Sequence, residues 1–169
     1  MTATVIVGNP KPASRTRTVA VELACAVLAR AGETSEPIVV EVSEISAGLF
    51  AWGDSAVAEA KKAVLSADLL VVASPVYKAS ITGLLKAFLD QFAQDELGAL
   101  ATVPLMVGAG PGHALAVETH LRPVLVEIGA SCPTRGVYVL ESQVGDPAAW
   151  LDPWLDRWAA ALLAVKATR

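Results

Sequence analysis

The sequence predicts an α/β domain built on a five-stranded parallel sheet with helices on both faces. Three observations predict it. Five short strand-forming runs stand out: Thr4 to Val7, Ile38 to Val42, Leu69 to Ala73, Val103 to Val107 and Arg135 to Leu140; the first is continuous enough for a strand buried on both faces. Helical spacing of apolar residues separates these runs, so strand and helix alternate from end to end, the pattern of a parallel sheet with right-handed crossovers. The composition agrees, with 54% hydrophobic but only 5% aromatic residues, because Ala, Val and Leu suit helices packed closely on a sheet. At 169 residues the chain is expected to form a single domain over residues 1–169.

The first strand breaks at Gly8-Asn9-Pro10, and a helix is predicted from about Thr16 to Ala31, with Val19, Leu23 and Val27 on one face. Gly32 ends it where a glycine commonly follows a helix. Ile45 to Phe50 is apolar but irregular, and reads as a loop packing Leu49, Phe50 and Trp52 under the next helix. Asp54 and Ser55 cap that helix, which runs to about Ser66. Leu69 to Ala73 is the most apolar run up to that point, hence a central strand, and Pro75 halts its ladder pairing. Thr82 to about Gln94 and Leu115 to Ile128 read as helices around the Gly-rich loop Gly108 to His113. The last helix is placed from Asp152-Pro153 to about Lys166. An earlier start at Asp146-Pro147 would put a kink at Pro153. Trp154, Trp158 and Leu162 make a stripe that reads as a core face, with a subunit contact as the rival reading.

Five strands and a loop rich in donors after the first favour the flavodoxin-like order 2-1-3-4-5 over the larger Rossmann arrangement. That order brings the carboxyl ends of strands one, three and four to one crevice. Those ends carry the loops Gly8 to Arg17, Ser74 to Lys78 and Gly108 to His113.

The first loop is built for a phosphate. Ser14, Thr16 and Thr18 offer hydroxyls, Arg15 and Arg17 offer guanidinium donors, and the helix start offers N–H groups with no intrahelical acceptor. Up to Val21 the chain has Lys11, Arg15 and Arg17 and no acid, although the net charge is -4. The loop is neither a Walker A sequence nor G-x-G-x-x-G, which favours a single terminal phosphate over a triphosphate or dinucleotide. The plainer reading is a solvated loop with an N-cap. Ser74-Pro75-Val76-Tyr77 suits either the border of a flat ring system or an ordinary turn, and Gly108-Ala109-Gly110 permits close backbone approach.

Other chemistries are disfavoured. A pI near 5.1 argues against nucleic acid or an anionic membrane as a general partner. Leu97 to Val117 has no charged residue, but Pro104, Pro111, Gly108, Gly110 and Gly112 interrupt it, so it is not read as a membrane span. No signal peptide is apparent. His113 and His120 lack metal-site spacing and no Cys cluster accompanies them, so no metal ligand is nominated, and Ser74 lacks the G-x-S-x-G elbow, which disfavours nucleophilic hydrolysis. Cys25 and Cys132 read as buried free thiols of a cytoplasmic protein.

Gly8-Asn9-Pro10-Lys11-Pro12-Ala13-Ser14-Arg15-Thr16, the block from Ser74 through Asp90, and His113-Ala114-Leu115-Ala116-Val117 followed by Leu121-Arg122-Pro123-Val124-Leu125 together resemble the NAD(P)H-dependent FMN reductase family of flavodoxin-like proteins. The likeness is strongest to the flavin reductases of sulfonate-assimilating two-component monooxygenases. It implies that Ser14, Arg15, Thr16 and Arg17 hold the FMN phosphate. Pro75, Val76, Tyr77 and Lys78 would border the isoalloxazine and ribityl chain, and Gly108, Ala109 and Gly110 would give main-chain contacts. The activity implied is hydride transfer from NADPH or NADH to flavin N5, with reduced flavin passed to a monooxygenase. A dimer or tetramer pairing around Glu118 to Leu125 is implied as well. A tightly FMN-bound quinone, azo or metal-ion reductase, a non-catalytic electron carrier and a module that has lost flavin are the alternatives.

Overall fold

Strand β1 (Ala3–Val7) is buried at every position and pairs in parallel with β2 (Ile38–Glu41) on one side and β3 (Leu69–Pro75) on the other. Next come β4 (Ala101–Gly108) and β5 (Val137–Leu140), giving the order β2-β1-β3-β4-β5. The computed structural model describes residues 1–165. Among these, no helix is long and apolar enough to cross a membrane.

Period-two alternation sends successive strand residues to opposite faces, which accounts for two separate cores. Val5, Val7, Val71, Val103, Leu105 and Val139 pack against α1 (Arg15–Arg30) and α5 (Leu151–Leu163). On the other face, Ile6, Leu70, Val72 and Met106 pack against α2 (Ser55–Leu65), α3 (Gly83–Leu89) and α4 (Arg122–Glu127). Local chemistry sets the helix ends. Ser14, Asp54 and Thr82 each accept a backbone N–H from the residue three further on. Gly32, at φ +81°, turns the chain out of α1.

Several sequence expectations are corrected. Phe50 and Trp52 do not pack under α2 but are almost fully exposed, at 90% and 105%, while Leu49 is buried. A 3-10 turn at Ser46–Gly48 and a left-handed Gly53 orient this connection so that, of these three, only Leu49 faces inward. β3 does not stop at Ala73 but runs on through Ser74 to Pro75, its last paired residue. Pairing with β1 stops at Ala73, whereas pairing with β4 continues through Pro75 opposite Val107. The Val76 N–H donates to Val107, so by alternation the proline nitrogen faces the side that β1 has already left.

The third helix ends at Leu89 instead of Gln94. Three-residue turns follow, and they fold Phe92 back edge-on against Phe88, with ring centroids 5.6 Å apart. The expected helix from Leu115 to Ile128 is divided: Val117–Leu121 is a π-turn closed by the Arg122 N–H on the Val117 carbonyl, and α4 follows. Pro123 has no N–H to donate to the fourth residue back, which loosens the ladder there. In the last helix Trp150, not Asp152, precedes the first turn, Pro153 sits within that turn, and Pro147–Ala149 forms a separate 3-10 turn. Lys166 lies outside the described residues. Trp154 and Leu162 are buried and Trp158 packs against the same core, as the stripe predicts. Cys25 and Cys132 are half-buried rather than buried, and burial pushes the Cys132 thiol up to about 11.

The π-turn is tied by charged side chains to the connection that leads into β5. Glu118 pairs with Arg122 and accepts the Gly136 N–H at 2.7 Å, while Arg122 donates to the Cys132 and Thr134 carbonyls. Burial pushes the Glu118 carboxyl up, but the Arg122 and Gly136 hydrogen bonds outweigh it and hold the carboxyl below its ordinary value. A depressed carboxyl stabilises the fold above its unfolded pKa and loses that stabilisation as pH falls through the folded value. Glu118→Gln is therefore expected to cost about 1–3 kcal/mol at neutral pH. The gap to wild type should close as pH drops below about 4.3, as read by chemical denaturation across pH; a gap independent of pH would remove the charge from the account.

Candidate functional site

The carboxyl end of β1 meets α3 at close quarters. Gly8 donates its N–H to the Ala73 carbonyl at 2.8 Å, and its own carbonyl accepts from Thr82 Oγ1 at 2.6 Å. A Cβ at Gly8 would run into Leu85, reaching 2.9 Å from its Cγ. Thr82 also caps α3, and its N–H donates to Ser74 Oγ at 3.2 Å. These buried bonds hold the loops after β1 and β3 against each other.

Side-chain hydrogen bonds shape the first loop. Asn9 Nδ2 donates to Thr16 Oγ1 at 3.0 Å, and Asn9 Oδ1 accepts the Lys11 N–H at 2.9 Å. Ala13 is left-handed at φ +50°, and Ser14 follows as N-cap. The Ser14 hydroxyl accepts the Arg17 N–H at 3.3 Å. The first-turn N–H groups of Arg15 and Thr16 make no hydrogen bond among the described residues, leaving two backbone donors at the helix start.

A cleft of about 290 Å³ opens there, with Lys11, Ser14, Arg15 and Thr16 on one wall and Pro75 and Tyr77 on the other. Asn9, Ala13, Val107 and Glu141 complete it. Arg15 reaches across to Glu141, Nη2 to Oε2 at 3.1 Å, and is 60% exposed. A larger depression of about 710 Å³ between Trp52 and Phe92 has Asp90 as its only charged lining residue and no cation, so its donor chemistry does not suit an anion.

The cleft thus brings together Ser14, Arg15, Thr16, Pro75 and Tyr77 of the sequence-derived set, and leaves Arg17, Val76, Lys78, Gly108, Ala109 and Gly110 off its walls. Arg17 turns the other way, with Nε 3.3 Å from the buried Glu41. Lys78 and Ala79, at φ +51° and +63°, form a tight turn closed by reciprocal Tyr77–Ser80 bonds of 2.9 and 3.0 Å. This is the hairpin conformation that Asn-Gly normally supplies, and it costs about 1–2 kcal/mol per residue without glycine. Gly108 packs directly under Tyr138, whose hydroxyl donates to the Gly110 carbonyl at 2.6 Å. That bond fixes the Gly-rich loop beside the cleft.

Asn9, Thr82, Glu41 and Glu141 are the residues that sequence reasoning passed over as contributors to the site. Thr82 acts through a hydrogen bond to Gly8, far away in the chain, and Asn9 through bonds inside its own loop, to Thr16 and the Lys11 N–H. Glu141 had a readable signal, as the first charge after the last strand.

A doubly wound five-stranded sheet with a donor-lined cleft beside its switch in strand order defines a flavodoxin-like protein. The sequence model described as NADPH-dependent FMN reductase matches residues 1–145, and the chain belongs to that family. It is similar to an FMN reductase (NADPH) of Pseudomonas putida, 40% identical over 81 residues that cover 48% of this chain and 41% of the relative. An FMN reductase (NADPH) of Pseudomonas aeruginosa is 40% identical over 128 residues, covering 69% of this chain and 67% of that protein. This chain therefore spans less than half the length of the first relative and two thirds of the second. The apo crystal structure of an NADH:FMN oxidoreductase (EMOB) superposes with a TM-score of 0.75 at 33% identity, over 95% of this chain and 86% of the other.

Proposed function

We propose that this chain is an NAD(P)H-dependent FMN reductase whose flavin phosphate sits at the start of α1. The observation that carries the reading is the set of donors on one wall of the cleft: the free N–H groups of Arg15 and Thr16, the Ser14 hydroxyl, and the Arg15 and Lys11 cations. This set fits a phosphate dianion. Pro75, Val76, Tyr77 and Lys78 would flank the ribityl chain and ring, with Gly108, Ala109 and Gly110 giving main-chain contacts. Bound FMN supplies the two-electron chemistry. The protein's part is to align flavin and nicotinamide and to exclude water from the crevice floor, where Val107 and Pro75 are buried. No side-chain acid or base is assigned.

The anchors are half in solvent, with Arg15 60% and Tyr77 51% exposed, which supports FMN as an exchanging substrate rather than a captive cofactor. Reduced flavin would then leave for a monooxygenase. Leu115 and Val126, at 66% and 52% exposure, flank the segment Glu118 to Leu125 and support self-association there. Two unpaired thiols suit a reducing, cytoplasmic setting.

The test is a flavin titration followed by NADPH and NADH oxidation under air, with and without added FMN. Saturable FMN binding with FMN-dependent turnover is the expected result, and the ratio of the two rates ranks the reductants. Failure to bind FMN would refute the reading, and binding without turnover with either reductant would reduce the chain to a carrier.

A further inference from the structure

Behind the wall of the cleft lies a carboxylate for which the proposed reaction has no use. Glu41 closes β2 and is only 8% exposed. Its Oε1 accepts the Ala13 N–H at 3.3 Å and stands 3.3 Å from Arg17 Nε, while Oε2 has no hydrogen-bond partner among the described residues. Glu44 is the other charge felt there, and burial is the main influence raising the Glu41 carboxyl, opposed by Ala13 and Arg17.

The two groups that Glu41 holds are the two that decide the shape of the cradle. Ala13 lines the cleft in a left-handed conformation that alanine adopts only under constraint, one residue before the N-cap. Arg17 belongs to the first turn of α1, and its backbone N–H completes the Ser14 cap while its side chain is drawn away from the cleft. A negative charge behind an anion site opposes binding. The contribution of Glu41 to binding is therefore geometric.

We propose that Glu41 is a positioning residue for the flavin phosphate: it pins the Ala13 turn and tethers Arg17, so that Ser14, Arg15 and Thr16 present their donors to one point. This rests on the reading that the cleft takes FMN.

The test compares FMN dissociation constants, by flavin fluorescence quenching, for wild type, Glu41→Ala and Glu41→Gln. Each protein's flavin-free unfolding midpoint is recorded alongside. Glu41→Ala should weaken FMN about tenfold, the worth of one lost orienting bond. Glu41→Gln keeps an acceptor for Ala13 and drops the opposing charge, so it should bind within about threefold of wild type or tighter. Should Glu41→Ala not fold, Glu41→Asp replaces it: the charge stays, the side chain falls one methylene short of Ala13, and the same weakening is expected. FMN affinity unchanged in the shortened variant, or Glu41→Gln as weak as Glu41→Ala, would overturn the positioning role. If wild type itself fails to bind FMN, the reading of the cleft falls and the role of Glu41 with it.

Discussion

Gly8→Ala is expected to lower the unfolding free energy by about 1–3 kcal/mol, the usual range for overfilling a packed interior, and to weaken FMN binding in the same protein. The added methyl would lie against Leu85, which is fully buried and has nowhere to turn. The backbone cannot retreat either. Its N–H is committed to Ala73 and its carbonyl to Thr82, so moving away exchanges a steric clash for two broken buried hydrogen bonds. Because Gly8 is the last residue before the donor loop, the strain passes directly to Asn9 and the start of α1. Chemical denaturation and an FMN titration of the same preparation measure both effects, and wild-type values in both would show that the contact with α3 sets neither.

Arg15→Ala is expected to weaken FMN by about 1.5–3 kcal/mol, the range for hydrogen bonds to a charged group. The guanidinium spans the cleft to Glu141, so a phosphate must compete with that carboxylate for it. Glu141→Gln should accordingly tighten FMN, with a change smaller than and opposite to that of Arg15→Ala. Both effects should shrink as salt is raised, because the pair is partly in solvent. Titrations of the two variants at low and high ionic strength check the signs and the salt dependence together. FMN affinity unchanged by Arg15→Ala would leave the backbone N–H as the only contribution of that residue.

The sheet was legible because a strand buried on both faces reads locally, as an unbroken β-branched or apolar run: Thr4 to Val7 and Leu69 to Ala73 are buried whichever face they meet. The donor loop was legible because N-caps and basic residues cluster within a few positions. What escaped notice depends on neighbours remote in the chain. Phe50 and Trp52 looked like core residues, since hydrophobicity carries no record of which way a connection turns. Arg17 looked equivalent to Arg15, yet Glu41, 24 positions further on, draws it away from the cleft.

The sequence by itself determined the class of fold, the order of its elements and the loop that gathers the hydroxyl, guanidinium and helix-start donors, since each rests on spacing and on side-chain chemistry within one short stretch. Only the tertiary structure decided which donors share a cleft, which arginine faces it and which carboxylates stand on either side. Those assignments depend on the register of β1 with β2 and β3 and on the seating of α3 against Gly8, where parallel pairing and close packing join residues that the chain holds far apart.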